Sequence, residues 1–347
     1  MVEIGLFLSG EHARCSKNRQ NGVYSTWTAR LLGSCIKGFL LSCLSTSLGA
    51  KPARFRKSRL LIVGCGDVGE RVLKLTRNRE RCIVLTSSED KKSHFRALGA
   101  TPLVGNLDHP QTLARLAALG ERVLHLAPPA GIGETDRRTQ ALLQALVKRT
   151  PPKRLVYGST TGVYGDCQGE WVSETRALNA QSDRAKRRVD AEQWVKAFAK
   201  SRPGLTRVAI LRIPGIYALD REGGTPLERL KKGLPVLLPI EDVYTNHIHA
   251  DDLAVACWRS LFMGSALRTF NINDDSVMLM GDYMRLAASH FGLPSPQSLG
   301  RAQIQALLSP MQWSFMQESR KMNNQRMKRE LRLRLQYPTP LHGWGGA

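Results

Sequence analysis

Leu60-Leu61-Ile62-Val63-Gly64-Cys65-Gly66-Asp67-Val68-Gly69-Glu70-Arg71-Val72 is the stretch whose reading decides the fold. The four apolar residues read as a buried strand, the G-x-G-x-x-G spacing as a tight turn, and the residues from Asp67 onward as the start of a helix. A helix N-terminus carries unpaired N–H groups and partial positive charge, so this turn is where a dinucleotide pyrophosphate would sit. Gly64 is expected to allow the turn, Gly66 to let the backbone approach the phosphates, and Gly69 to let helix and strand pack closely, with Asp67 and Val68 between. A G-x-G-x-x-G run alone is weak. Its weight comes from the strand and helix patterns on both sides, and the competing reading is a purely structural glycine turn.

From Arg59 onward strand and helix patterns alternate, which predicts a Rossmann-type, doubly wound α/β fold with a parallel sheet covered on both faces. Strands are expected at 59–63, 82–86, 101–104, 122–127, 154–158 and 206–212, and helices at 67–78, 110–119, 134–149 and 183–200. Past Pro214 the pattern loosens. Gly and Pro at 223–239 and 292–300 predict a smaller, loop-rich substrate part interleaved with the sheet. The expected division is an extension over 1–57, a dinucleotide-binding domain over 58–215 and a mainly substrate-binding part over 216–347.

A chain of 347 residues with 42% hydrophobic content can bury a real core, as one large globular unit or two small ones. The net charge of +22 predicts attraction to anions, whether cofactor phosphates, acidic metabolites or nucleic acid. Basic residues gather at 51–59, 184–188 and 320–334, without aromatic interleaving or zinc-finger spacing. They read as solvated basic faces, and no specific nucleic-acid partner is expected. The seven cysteines are scattered and never spaced C-x-x-C, so they read as reduced and cytoplasmic. Cys65 is expected to be a small filler beside the pyrophosphate, the alternative being a thiol whose oxidation blocks the cofactor. Residues 1–57 carry nine Lys or Arg against Glu3 and Glu11, with an uncharged run from Gly38 to Ala50. That run is too short and too rich in Ser for a membrane span and too far from the start for a signal peptide. No membrane partner is expected; an organellar transit segment is weighed, and a disordered extension or over-called start is preferred.

Six stretches now fall into a recognisable order: Gly64–Gly69, Val104–Leu107, His125–Ala127, Ser159–Asp166, Leu211–Tyr217 and His249–Ala254. They resemble the extended short-chain dehydrogenases/reductases, the NAD-dependent epimerase/dehydratase family, over roughly residues 58–337. With Ser319–Asn324 near its end, the chain resembles most an atypical bacterial subgroup of that family. The resemblance implies that Thr160 hydrogen-bonds the substrate carbonyl or hydroxyl; the alternative is a Ser/Thr cluster that merely ends a strand by bonding local backbone. It implies that Asn106, beside Leu107, takes the place of an adenine-side Asp. It also implies that His125, Leu126, Ala127, Pro128 and Pro129 wall the cofactor ribose, and that a homodimer forms through the helices near 134–149 and 183–200.

The departure from the family lies in its Tyr-x-x-x-Lys pair, a phenol that moves the proton and a lysine one helical turn on that tunes it. No tyrosine occurs between Tyr164 and Tyr217. Anchoring on Glu192-Gln193 puts Arg184 and Arg188 at the two places, while a two-residue slip pairs Ser182 with Lys186. An arginine stays protonated, so Arg188 can bind phosphate or ribose but not replace the phenol. Tyr164 and Tyr217 are expected to pack, His247 and His249 not to form a metal site, and Asp252 to cap a helix starting at Leu253. Arg212 is read either as a contact to an anionic substrate or as half of a structural ion pair.

Three function classes are compatible with these readings. The first is an NAD(P)-dependent oxidoreductase acting on a small carbonyl or sugar-like molecule, with Thr160 as the catalytic residue. The second is a catalytically silent dinucleotide sensor, and the third a nonspecific nucleic-acid binder supported by charge alone. For the cofactor, Thr86, Ser87 and Ser88 stand where an NAD enzyme usually places an acid for the ribose 2′-OH; with Lys91 and Lys92 just beyond this favours NADP, Glu89 and Asp90 count against it, and NAD is the alternative.

Overall fold

In the computed structural model, which describes residues 57–76 and 79–345, Leu60 to Val63 are all buried within β1 (Arg59–Val63). Strand side chains alternate between faces, so Leu60 and Ile62 join one core while Leu61 and Val63 join the other. Only a strand covered on both faces needs an unbroken apolar run, and that is what the sequence carries here. The extension expected over 1–57 lies outside the described residues but for Lys57.

The strands are β1, β2 (Arg81–Thr86), β3 (Thr101–Val104), β4 (Arg122–His125), β5 (Arg154–Thr160) and β6 (Arg207–Ile213). Between them come α1 (Asp67–Thr76), α2 (Lys91–Ala97), α3 (Arg137–Leu146) and α4 (Asp183–Lys200). Beyond β6 lie β7 (Gly215–Tyr217), α5 (Leu227–Lys231), β8 (His247–His249), α6 (Ala250–Ser260) and β9 (Leu267–Asn271). The main sheet has seven parallel strands in the order β9-β6-β5-β4-β1-β2-β3. The order reverses at β1, so the connections leaving β1 and β4 diverge to opposite sides and leave a crevice at the carboxyl ends of these strands. The chain beyond 216 returns to this sheet through β9, and α6 packs against α1.

Several boundaries differ from the sequence expectation for identifiable reasons. The segment at 110–119 is a 3₁₀ helix over Pro110–Leu116, stopped before Ala118, whose φ is +59°. Strand β4 ends at His125 because the N–H groups of Leu126 and Ala127 both turn to the carbonyl of Val63. Helix α3 begins only at Arg137, where Asp136 caps it by accepting from the Thr139 N–H. The expected α4 is observed over 183–200, capped by Ser182. Helix α2 was not expected; it is a single short stretch over 91–97, too brief for periodicity to reveal.

A buried ion pair ties α4 to the sheet. Glu192 on α4 accepts from Arg212 Nε at 3.0 Å and Nη2 at 2.7 Å, and from Ser159 Oγ at 2.8 Å. Arg212 Nη1 donates to the Tyr164 hydroxyl, which donates to Asn271 Oδ1 on β9. Arg212 is therefore a structural partner, and Tyr164 a packing residue whose polar tip is satisfied. Burial opposes charge on Glu192, yet Arg212 with Lys196 and Ser159 holds its carboxyl below the usual range. Stability from this pair is thus present above the ordinary carboxylate range and lost as pH falls through the lower folded value. Glu192→Ala, which strands the Arg212 charge, is expected to cost about 3–5 kcal/mol. Urea unfolding at neutral pH measures it, and a loss near zero would show that the network is not holding α4.

Candidate functional site

At the carboxyl ends of the central strands lies a cavity of about 310 Å³, lined by Gly64, Gly66, Asp67, Val68, Gly69, Leu126, Thr160, Arg188 and Arg221, among others. Gly64 has φ of +83°, and a Cβ there would stand 2.2 Å from the backbone nitrogen of Ala127, so only glycine lets the first turn pass under the β4 end. A Cβ on Gly66 would meet nothing within 4 Å: this backbone faces open space, as a phosphate site requires. The geometry fits a dinucleotide. Cys65 is pushed up to about 12 by burial and then by Glu70, so it stays a thiol and fills space.

Asp67 is already engaged. It accepts from Arg71 at 3.0 Å and from Arg221 at 2.6 Å, while Arg71 also binds Asp220 and Asp251. The loop after β7 is thereby fastened across the glycine turn. Arg221 was not singled out from the sequence, since no motif surrounds it and only the tertiary fold brings it here.

The other expected cofactor residues sit around this edge with less direct contact. Pro128 lines a second, larger cavity, and Ala127 is buried with its N–H against Val63. Thr86, Ser87, Ser88, Asn106 and Leu107 line neither of the two cavities. The Thr86 hydroxyl closes its own turn by bonding the N–H and carbonyl of Ser88, and Asn106 Oδ1 accepts from the Asp108 N–H. Ser87 is exposed at the end of β2, and Lys92 pairs with Glu89. His125 bonds Thr139 at 2.9 Å and is held neutral, pushed down to about 3 by burial and then by the Arg188 charge.

The larger cavity is about 660 Å³ and shares Thr160, Arg188, Pro214 and Ile216 with the smaller. At this junction Thr160 ends β5. Its Oγ1 accepts from the Gly162 N–H at 3.4 Å, which satisfies local backbone and still leaves the hydroxyl proton to donate. Arg188 donates to the Gly158 carbonyl at 2.7 Å and the Tyr157 hydroxyl at 3.2 Å. Arg184 lies over the Phe315 ring on the cavity wall. Ser182 is spent on capping and Lys186 pairs outward with Glu134, so of the two registers only Arg184 with Arg188 faces the site. The basic residues at 184–188 and at 320 therefore do not all form a solvated face: Arg184, Arg187, Arg188 and Arg320 line this cavity. Folding turns one side of α4 inward, which a charge count along the chain does not reveal.

Tyr217, His247 and Tyr283 form part of the cavity wall, with the His247 ring stacked 4.0 Å from Tyr283. His249 caps α6 by accepting from the Asp251 N–H and packs on Tyr337. The helix thus starts at Ala250, and Asp252 is not its cap. Its carboxylate instead receives the N–H groups of Gln336 and Tyr337 and anchors the C-terminal segment. Among the described residues no group of three or more His, Cys, Asp or Glu is arranged to hold a metal, and no helix is long and apolar enough to cross a membrane.

Comparison with known proteins adds three findings. The profile of the NAD dependent epimerase/dehydratase family matches residues 60–273. A protein of uncharacterised function from Mycobacterium tuberculosis is 29% identical over 204 residues, covering 55% of this chain and 52% of its own; the chain thus spans about half the length of the curated relatives it matches. Among solved structures, a conserved protein of unknown function from Silicibacter pomeroyi is 29% identical with a TM-score of 0.68, covering 83% of this chain and 97% of that one. The UDP-glucose 4-epimerase of Thermotoga maritima, solved with UDP-glucose, shares the fold at 18% identity and TM-score 0.66, covering 82% and 96%.

Behind the wall of the larger cavity, Asp274 Oδ1 accepts from the N–H and hydroxyl of Ser276, and its carboxyl faces the buried Tyr217 hydroxyl. Burial pushes its pKa up to about 8. Between the ordinary aspartate value and that one, the unfolded chain is charged and the folded protein keeps the proton, so stability falls as pH rises across this window, by at most about 1.4 kcal/mol per pH unit. Asp274→Asn preserves the bonded oxygen and is expected to be more stable than wild type at pH 8, with a flatter profile. Thermal melts from pH 4 to 9 measure this, and an unchanged slope refutes the assignment.

Proposed function

The chain belongs to the NAD dependent epimerase/dehydratase family, and from that premise we propose that it is an NAD(P)-dependent oxidoreductase acting on a small carbonyl or sugar-like substrate, of the atypical kind without the Tyr-x-x-x-Lys pair. The observation that carries this is the meeting of the two cavities at Thr160 and Arg188. A cofactor lying along the glycine turn would present its ring at that junction, and a substrate would reach it from the larger chamber. The bound nicotinamide supplies hydride exchange. Thr160 supplies a hydrogen bond to the substrate oxygen, where charge develops. Arg188, fixed by Gly158 and Tyr157, holds ribose or phosphate and contributes positive charge without moving a proton. With no tyrosine on α4, the proton comes from water in the larger cavity, and turnover is slow by the 10² to 10⁴-fold that a positioned acid typically supplies.

The same absence favours a second reading, a dinucleotide sensor without catalysis. The two readings separate by experiment. Thr160→Val is expected to lower the reduction of small aldehydes and ketones by something like 10 to 10³-fold while leaving NADPH affinity nearly unchanged, because the hydroxyl acts on the substrate oxygen. Stopped-flow NADPH oxidation beside a cofactor titration measures both. Tight NADPH binding with no oxidation in wild type and indifference to Thr160→Val would favour the sensor.

NADP is the proposed cofactor because exposed Ser87, with Ser88 and Lys91 beside it, offers hydroxyls and charge to a 2′-phosphate where an acid would repel it. Calorimetric titration with NADPH and NADH is expected to show tighter binding of NADPH. The opposite order overturns this choice without touching the fold.

A further inference from the structure

Arg188 stands where the two cavities meet, and the groups that hold it are neutral. Its Nη1 donates to the Gly158 carbonyl and the Tyr157 hydroxyl, its guanidinium lies 5.8 Å from the Tyr157 ring centroid, and no carboxylate among the described residues pairs with it. The surroundings supply no counter-charge either. Burial, against the pull of Arg188, pushes the Tyr157 phenol up to about 12, and His125, packed on the Tyr157 ring, is held neutral. The carboxylates whose charge reaches Tyr157 are already engaged: Glu192 pairs with Arg212 and Lys196, and Asp136 accepts from the N–H and hydroxyl of Thr139. Among the described residues the acids lining the two cavities are Asp67 and Glu318, and these pair with Arg71, Arg221 and Arg320. In a Tyr-x-x-x-Lys pair a phenolate can offset the lysine. Here Arg184, lying over Phe315, and Arg188 fill the two places, and nothing offsets them.

A nicotinamide ring is cationic when oxidised and neutral when reduced, so an uncompensated cation beside it repels one form and not the other. We propose that the junction discriminates the redox state of its dinucleotide, holding the reduced form in preference to the oxidised one because Arg188 places an unneutralised positive charge there. This rests on the dinucleotide reading of the glycine turn and holds for the oxidoreductase and for the sensor alike. Arg188 is half-buried, so salt screens its charge less than it would at the surface. The two forms compete for one site, and the difference in their affinities makes occupancy follow the reduced pool.

The test is calorimetric titration of the full chain with NADPH and NADP⁺, and with NADH and NAD⁺ beside them. The reduced member of each pair is expected to bind about 10-fold or more tightly than the oxidised one. Ribose and phosphate are the same in both members, so the ratio of the two affinities isolates the charge. Arg188→Gln should bring that ratio close to one and Arg188→Lys should keep most of it, whereas Arg137→Gln, an exposed change on α3, should leave it as in wild type. Thermal melts check that each variant is folded, and the wild-type ratio is a test by itself. Equal binding of the two forms, tighter binding of the oxidised form, or a ratio untouched by Arg188→Gln overturns the proposal and leaves the dinucleotide site standing. A wild type that takes neither form removes the cofactor reading, and this inference with it.

Discussion

The Glu192–Arg212 pair is the constraint on which the site depends. It lies at full burial between α4 and β6, and each partner would be an uncompensated charge without the other. Ser159 and Tyr164 bring the end of β5 and the turn after it into the same network, and Asn271 brings the edge strand. Thr160 therefore stands at the cavity junction with its backbone neighbours anchored on both sides. Arg188, one turn before Glu192 on α4, is placed by the same anchor.

Arginine does three different jobs within a short distance. At Arg212 it is half of a sealed pair. At Arg71 and Arg221 it gathers Asp67, Asp220 and Asp251, fastening the loop after β7 across the glycine turn. Around the larger cavity it is left underpaired. The physical difference lies in the partners, since the same side chain stabilises structure where a carboxylate meets it and keeps donors unpaired where none does. A net charge of +22 is compatible with all three uses and distinguishes none of them.

What could be read from the amino-acid order alone is what depends on local chemistry. The apolar run at 60–63, the glycine spacing after it and the helix over 183–200 are local patterns, and they lead to the parallel sheet and the tight glycine turn. The role of Gly64 was legible for the same reason: a turn this tight needs positive φ wherever the rest of the chain goes. Where competing forces act at short range the reading was less sure, as with the 3₁₀ segment at 110–116 and the start of α6.

The tertiary structure alone decided which charges meet. Arg212 finds Glu192 across 20 positions, Arg221 finds Asp67 across 154, and Asp252 finds the backbone of Gln336 and Tyr337 across 84 and 85. No periodicity records such pairings, because ion pairs and buried hydrogen bonds depend on distance in space while sequence patterns report only which face of one element is apolar. The same kind of encounter on α4 uses Ser182 as a cap, turns Lys186 to Glu134 and leaves Arg184 and Arg188 at the cavity. The fold thus rests on short-range rules that a sequence displays, and the site on long-range encounters between polar groups that only the folded chain brings about.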